Sequence, residues 1–247
     1  MQNEKEIKTT GDRLVSDLAS AGYRAAMLFR RYGISYCCGG RWPLQAACEA
    51  QGLDVNSIAE ELDKTQRVLK VPAASFAAQW SADFLIQFIE EVSHRYFKEA
   101  GHLTQVAGEF TEKHIRQYPS LQPLPATLQA WHTSILRIVQ EDEQVLFPYI
   151  RQLAHASSDK ASYAAILVRT LRKPFDVRIP EQTKLLLQEV QALTPHGGEP
   201  ARTCTSHKVL MHGLRELEEQ VLQYLYLKNE VLYNRVIQLE KELLRNA

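Results

Sequence analysis

Residues 205–244 form a long segment without proline, in which apolar side chains recur at intervals of three and four residues. This spacing is that of one face of an α-helix and not that of a β-strand. The stripe consists of Leu210, Leu214, Leu217, Val221, Tyr224, Lys228, Val231 and Arg235, and it is apolar except at Tyr224, Lys228 and Arg235. Glycine and proline are also sparse inside the other periodic segments, and few stretches alternate as strands do. The sequence therefore predicts an all-α protein.

The chain divides into a small helical domain over residues 1–70 and a four-helix bundle over residues 81–247, joined by the linker 70–81. A length of 247 residues also favours two domains. In the first domain we expect helices over 12–19, 23–32, 43–52 and 55–69, the last capped by Asp54. In the second we expect helices over 82–117 with a break at Gly101, 126–155, 159–193 with interruptions at Pro174 and Pro180, and 205–244. A domain of about 70 residues needs further burial from a neighbouring segment or a partner chain.

The charge balance excludes several classes of partner. Lys and Arg together number 29 and so do Asp and Glu, so the formal net charge is zero and nothing predicts binding to nucleic acid or to an anionic membrane. The polar start of the chain has no apolar leader, and no run reaches membrane-spanning length. We therefore expect a cytoplasmic protein with reduced thiols, in which Cys48 and Cys204 are ordinary semi-buried residues.

The segment Tyr32-Gly-Ile-Ser-Tyr-Cys-Cys-Gly-Gly40 is the candidate site of chemistry. Its two glycines can adopt positive φ and turn the chain directly after Cys37 and Cys38. Three nearby arginines would favour the thiolate form of these thiols: Arg30, Arg31 and Arg41. The pair could bind one soft metal or a cluster, form a strained disulfide, or consist of two small buried side chains.

Polar residues interrupt the apolar stripes of the bundle. Lys228 lies on the stripe of the last helix, and Asp142 lies with His132 on the stripe of the 126–155 helix. A buried Lys is costly unless it is paired, so Asp142 and Lys228 are candidate partners; the alternative is that both are solvated at the stripe edge. His94 falls off the stripe of its own helix, with Glu90 one turn before it, which is typical of a surface pair.

The cysteine motif, followed by Leu44-Gln-Ala-Ala47 and Leu53-Asp-Val55, resembles the N-terminal domain of the ScdA-type iron–sulfur cluster repair proteins. The resemblance continues through Glu143-Gln-Val-Leu-Phe-Pro148, Pro174-Phe-Asp-Val177 and Asn229-Glu-Val-Leu-Tyr233. It implies that the second domain is a hemerythrin-like four-helix bundle, which in this family holds a non-haem di-iron centre.

The ligand positions that the resemblance implies are mostly substituted in this chain. The family's ligands fall on His94, Ile138, Asp142, Gln182, Tyr224 and Lys228. Only one histidine and one shortened carboxylate remain, and imidazole–carboxylate iron cannot be held by Ile, Tyr and a Lys cation. We therefore expect no cofactor in the bundle and a Lys228 ammonium that occupies the space of the metal and neutralises Asp142.

The resemblance implies a role in iron–sulfur cluster repair under oxidative or nitrosative stress, including nitric oxide. The residues favour a paralogue that lacks the di-iron centre and acts through Cys37 and Cys38, more as a binding or redox module than as an enzyme. Two alternatives remain open: a true di-iron repair protein with a non-standard ligand set, and a metal-free helical scaffold. The partners implied are iron–sulfur proteins, another repair protein, or a second copy of the chain.

Overall fold

A computed structural model describes residues 10–36, 40–66, 79–158, 180–194 and 204–245. Over these ranges the secondary structure is helical without a β-strand, apart from an isolated bridge between Leu14 and Pro43. The all-α prediction is therefore confirmed. None of the helices in these ranges is long and apolar enough to cross a membrane.

The N-terminal helices are α1 (Val15–Ser20), α2 (Tyr23–Arg31), α3 (Leu44–Glu49) and α4 (Val55–Gln66). The next long segment contains α5 (Ala82–Phe88), α6 (Arg95–Glu99) and α7 (Gly101–His114), followed by a 3₁₀ turn at Pro119–Leu121. The remaining helices are α8 (Leu124–Glu141), α9 (Phe147–Ser158), α10 (Glu181–Leu193), α11 (Thr205–Tyr226) and α12 (Tyr233–Arg245). Three π-helical segments join consecutive helices: π1 (Ile89–His94), π2 (Asp142–Leu146) and π3 (Leu227–Leu232).

The helix boundaries follow the sequence prediction with small shifts. Helix α1 begins at Val15, three residues later than predicted. The carboxylate of Asp54 accepts hydrogen bonds from the backbone N–H groups of Asn56 and Ser57, so the predicted cap of α4 is confirmed. Most of the linker, together with residues 159–179 and their motif at Pro174, lies outside the described residues.

The chain folds into two compact units, each of which combines segments from distant parts of the sequence. The first comprises Met1–Leu69, Gln105–Gln122 and Thr194–Glu216; the second comprises Lys70–Thr104, Pro123–Leu193 and Leu217–Ala247. The assignment of domains to residues 1–70 and 81–247 stays a prediction.

In the first unit, two glycines shape the ends of the cysteine motif. Gly33 adopts φ 70° and ends α2, with the Ile34 N–H donating to the Phe29 carbonyl, as in a Schellman cap. Gly40 is needed for a different reason, because a Cβ there would lie 2.3 Å from the Tyr36 carbonyl oxygen. The close approach of Tyr36 is what excludes a side chain.

The N-terminal helices of the first unit obtain burial from later segments of the same chain. Arg24 on α2 forms an ion pair with Glu216, and Arg30 forms one with Glu109 on α7. The fully buried side chains of the N-terminal helices include Val15, Leu18, Phe29, Leu44, Ile58 and Leu62. The N-terminal helices therefore belong to one compact unit with residues 105–122 and 194–216 of this chain, as expected for a domain that needs a neighbouring segment.

In the second unit, a histidine stabilises the predicted helix break before Gly101. The His132 side chain is buried, and its Nε2 lies 2.7 Å from the carbonyl oxygen of Phe97. This carbonyl lies in α6, directly before the break, where the regular helical pairing ends. A Cβ on Gly101 would lie 3.3 Å from Cε1 of His132, so the glycine leaves room for the ring. His132 therefore satisfies a helix end.

At several positions within or after the π segments, the buried residue lies one place away from the predicted one. A π turn contains an extra residue relative to an α turn, so periodicity of 3.6 fails beyond it. In π2, the predicted inward residue Val145 is 52% exposed, and Leu146 is buried instead. After π3, Arg235 is likewise exposed and Val236 is buried. His94, predicted off the buried stripe, ends π1 with 0% exposure.

We predict that Gly40→Ala lowers the free energy of unfolding by about 1–3 kcal/mol, because the added Cβ would force the Tyr36 carbonyl to move. Urea denaturation followed by circular dichroism measures the change. Gly108→Ala is the matched control, because a Cβ at that helical position meets nothing within 4 Å. It should be neutral or stabilising, by up to about 1 kcal/mol. Equal effects of the two substitutions would contradict the close approach at Gly40.

Candidate functional site

The second unit contains a buried carboxylate that is held by two hydrogen-bond donors. Lys228 Nζ lies 2.6 Å from Oδ1 of Asp142, and the Tyr224 hydroxyl donates to Oδ2 of the same carboxylate. Lys228 Nζ also lies 3.3 Å from the Tyr224 oxygen. Asp142 and Tyr224 are each 1% exposed and Lys228 is 8% exposed. The predicted contact between Lys228 and Asp142 is confirmed, and the solvated alternative is wrong.

Tyr224 contributes a hydroxyl that remains protonated. Burial raises the pKa of Tyr224 well above its ordinary value, and the negative charge of Asp142 raises it further. The phenol therefore acts as a hydrogen-bond donor. Together with the Lys228 ammonium, it satisfies both oxygens of the buried carboxylate.

His94 lies beside this cluster but has no hydrogen bond to it. Its Nε2 is 3.7 Å from Oδ2 of Asp142, and within the described part of the chain this nitrogen has no hydrogen-bond partner. The ring stacks on Phe147, with 5.3 Å between centroids, and makes a tilted contact with Tyr224. The predicted surface pair of His94 with Glu90 is absent, because Glu90 instead bonds Arg151. The sequence interpretation of His94 as a surface residue is therefore wrong.

The other nitrogen of His94 belongs to a second, more exposed set of contacts. Nδ1 lies 3.1 Å from Oε1 of Glu143, which also accepts a hydrogen bond of 2.7 Å from Lys98 Nζ. Partial burial acts to raise the pKa of Glu143, but the hydrogen bonds and charges of Lys98 and His94 outweigh it, so the pKa lies below its ordinary value. Glu143 therefore links the buried cluster to the surface, a contact that sequence reasoning missed.

Three of the four polar residues at this site come from the π segments, one from each segment. His94 is the last residue of π1, Asp142 is the first of π2 and Lys228 is the second of π3. π turns inside α-helices are rare and often lie at functional sites. All three π segments contribute a residue to the same cluster. We therefore regard this cluster as the candidate site of the second unit.

The remaining implied ligand positions contribute no polar donor to the cluster. Ile138 is half-buried and has an alkyl side chain, and Gln182 is exposed at the start of α10. The neighbouring Thr183 is the buried residue, and its hydroxyl bonds to that of Ser134. The structure therefore does not bring Gln182 together with Asp142, Tyr224 and Lys228.

The residues present do not fit the di-iron centre that the resemblance implies. Both oxygens of Asp142 are engaged by hydrogen-bond donors, and a Lys ammonium placed against the carboxylate would repel a metal cation. Within the described residues, no group of three His, Cys, Asp or Glu side chains is arranged to hold a metal ion. The arrangement is that of a buried ion pair with a neighbouring imidazole.

Cys37 and Cys38 lie outside the described residues, but their surroundings in the first unit can be partly described. Two of the arginines expected to favour the thiolate are already engaged, since Arg30 pairs with Glu109 and Arg31 with Glu61. Cys48, predicted to be semi-buried, is fully buried, and burial raises the pKa of its thiol. Cys204 is half-buried as predicted.

The chain is a helical protein with an N-terminal ScdA_N domain. The sequence profile of that domain family matches residues 11–66. The profile is described as a domain of unknown function (DUF542). Over nearly its whole length the chain is also 26% identical to the iron–sulfur cluster repair protein YtfE of Cronobacter sakazakii, covering 93% of this chain and 98% of the relative. The YtfE proteins of Escherichia coli O1:K1 and Escherichia fergusonii are 26% identical over 92% of this chain and 97% of theirs. The predicted resemblance to the ScdA-type repair proteins is thereby confirmed.

We predict that Lys228→Met lowers the free energy of unfolding by about 3–5 kcal/mol, because it leaves the Asp142 carboxylate buried without its cation. Lys98→Met is the matched control, since Lys98 is 55% exposed and its ion pair with Glu143 should contribute at most about 1 kcal/mol. Urea denaturation of both variants measures the difference. A cost for Lys228→Met no larger than that for Lys98→Met would contradict a buried ion pair.

Proposed function

We propose that this chain acts in iron–sulfur cluster repair as a paralogue without a di-iron centre, and that its chemistry is carried by Cys37 and Cys38. The similarity to repair proteins over 93% of the chain supports the cellular role. The observation that supports the metal-free part is the buried contact of Lys228 with Asp142 in the second unit. Lys228 provides a cation at a position where the resemblance implies an iron ligand.

This proposal assigns different roles to the two units. The cluster of the second unit has a structural role, because its carboxylate is held by hydrogen bonds and charge. The vicinal thiols are then the candidate contact with a damaged cluster, since thiolates are natural ligands of iron–sulfur clusters and of soft metals. The clients would be iron–sulfur proteins or another repair protein of the cytoplasm.

Elemental analysis of protein purified without a metal-binding tag tests the metal-free part. We expect iron far below one atom per chain, with one of the YtfE relatives purified in parallel as the reference. Supplying iron during expression should not change this result, because the Lys228 ammonium and the Tyr224 hydroxyl engage both oxygens of Asp142. Two iron atoms per chain would overturn the proposal in favour of a di-iron protein with a non-standard ligand set.

Recovery of an iron–sulfur enzyme after nitric oxide treatment, in cells that depend on this chain, tests where the chemistry lies. We expect Cys37→Ser/Cys38→Ser to abolish recovery. The triple variant Asp142→Leu/Tyr224→Phe/Lys228→Met should retain it, because replacing a whole buried ion pair by apolar side chains is often neutral for stability. Loss of recovery in a folded triple variant would instead assign the chemistry to the second unit. Unchanged recovery in the Cys variant would favour the scaffold alternative.

Thiol labelling at neutral pH provides a prediction independent of cells. We expect at least one of Cys37 and Cys38 to react with a maleimide faster than Cys48 in the folded protein, where burial suppresses the Cys48 thiolate. Mass spectrometry of peptides taken over time gives the three rates, and a urea-unfolded sample gives the intrinsic rate of Cys48. A rate for the vicinal pair no faster than that of unfolded Cys48 would count against a reactive site.

A further inference from the structure

A cavity of about 310 Å³ lies within the first unit. Its lining includes Arg30 and the segment Ile34–Tyr36, which leads into the cysteine motif. Helix α7 contributes further lining residues, which include Phe110 and Lys113. This volume is at the lower end of those of small-molecule sites, and it suits a compound of about the size of a substituted benzene ring.

The charges on the cavity wall do not cancel. The Arg30 guanidinium pairs with Glu109, so these two side chains neutralise each other. Lys113 also lines the cavity, and among the described residues no carboxylate lies within ion-pair distance of it. The wall therefore carries one uncompensated positive charge, that of Lys113.

The cavity also offers an apolar surface and hydroxyl donors. Val106 and Phe110 contribute apolar side chains, and the Phe110 ring stacks on His114 with 4.8 Å between centroids. Ser35 and Ser206 contribute hydroxyl groups that can donate hydrogen bonds to an anion. A few polar groups beside an apolar wall are the usual composition of a site for a small organic molecule.

We propose that this cavity binds a small organic anion, with its apolar or aromatic part against Val106 and Phe110 and its negative charge at Lys113. The uncompensated charge selects against cations, and the apolar wall favours an organic anion over an inorganic one. Tyr36 lines the cavity and directly precedes Cys37 in the sequence, so a bound anion would contact the residue next to the vicinal thiols. The proposal does not depend on whether the second unit binds iron.

Isothermal titration calorimetry of the full chain with phenyl phosphate tests the proposal, with inorganic phosphate and phenol as probes of the two halves of the ligand. We expect one phenyl phosphate per chain, bound more tightly than either half. Binding should weaken as salt is added, because it rests on charge. Phenyl phosphate that fails to bind at millimolar concentration, or that binds no better than inorganic phosphate, would overturn the proposal.

Two substitutions in the cavity wall should change the affinity in opposite directions. Lys113→Gln removes the uncompensated charge and should weaken phenyl phosphate binding roughly two- to fivefold, whereas Glu109→Gln frees the Arg30 charge and should strengthen it by a similar factor. A gain of affinity cannot result from partial unfolding. Lys64→Gln is the matched control, because Lys64 is exposed on the same unit and does not line the cavity. Equal losses from Lys113→Gln and Lys64→Gln would show nonspecific charge attraction and overturn the site.

Discussion

The stability of the second unit depends on hydrogen-bond donors that engage one buried carboxylate. A carboxylate with 1% exposure, such as that of Asp142, would be strongly destabilising if it had no partners. Lys228 and Tyr224 each engage one of its oxygens, and both donors come from the last helical segment of the chain. These two hydrogen bonds therefore connect residues that are at least 82 positions apart in the sequence. They also hold π2 beside the last helical segment, which contains π3. Apolar packing alone would not fix this register so strictly, because it is less directional.

The sequence was sufficient to predict the fold class, the break at Gly101 and the pairing of Lys228 with Asp142. These predictions succeed because they rest on helical periodicity, on glycine, and on the cost of leaving a buried Lys unpaired. The errors at His94, Val145 and Arg235 share one physical cause. Each lies within or beyond a π segment, where an added residue moves the buried face, and periodicity of 3.6 contains no signal for that addition. The polar residues on the apolar stripes could have revealed the added residues. They lie at the points where the apolar pattern no longer follows one helical period.

The importance of Cys37 and Cys38 stays a prediction, while the structure shows a constraint at Gly40 that the sequence analysis did not foresee. Sequence reasoning associates glycine with positive φ, because that property belongs to the residue alone. The structure adds a steric requirement at Gly40: the carbonyl of Tyr36, four residues earlier, leaves no space for a Cβ, and residue types alone do not reveal this close approach. The same limit applies to the arginines near the motif. Their sequence proximity suggested a positive field, but carboxylates from distant parts of the chain neutralise two of them. Counting arginines that are close in the sequence therefore overestimates the positive charge near the motif, because carboxylates from other segments pair with them.

The π segments have a consequence for how a site of this kind can change in evolution. Removing the added residue from any one of them would rotate every following side chain of that helix by about 100° and separate the three polar positions. A point substitution, by contrast, alters the chemistry at one position and leaves the backbone as it is. The scaffold therefore constrains insertions and deletions far more than side-chain identity. Related bundles can therefore replace the buried side chains of this site during evolution while the helices and π segments are retained.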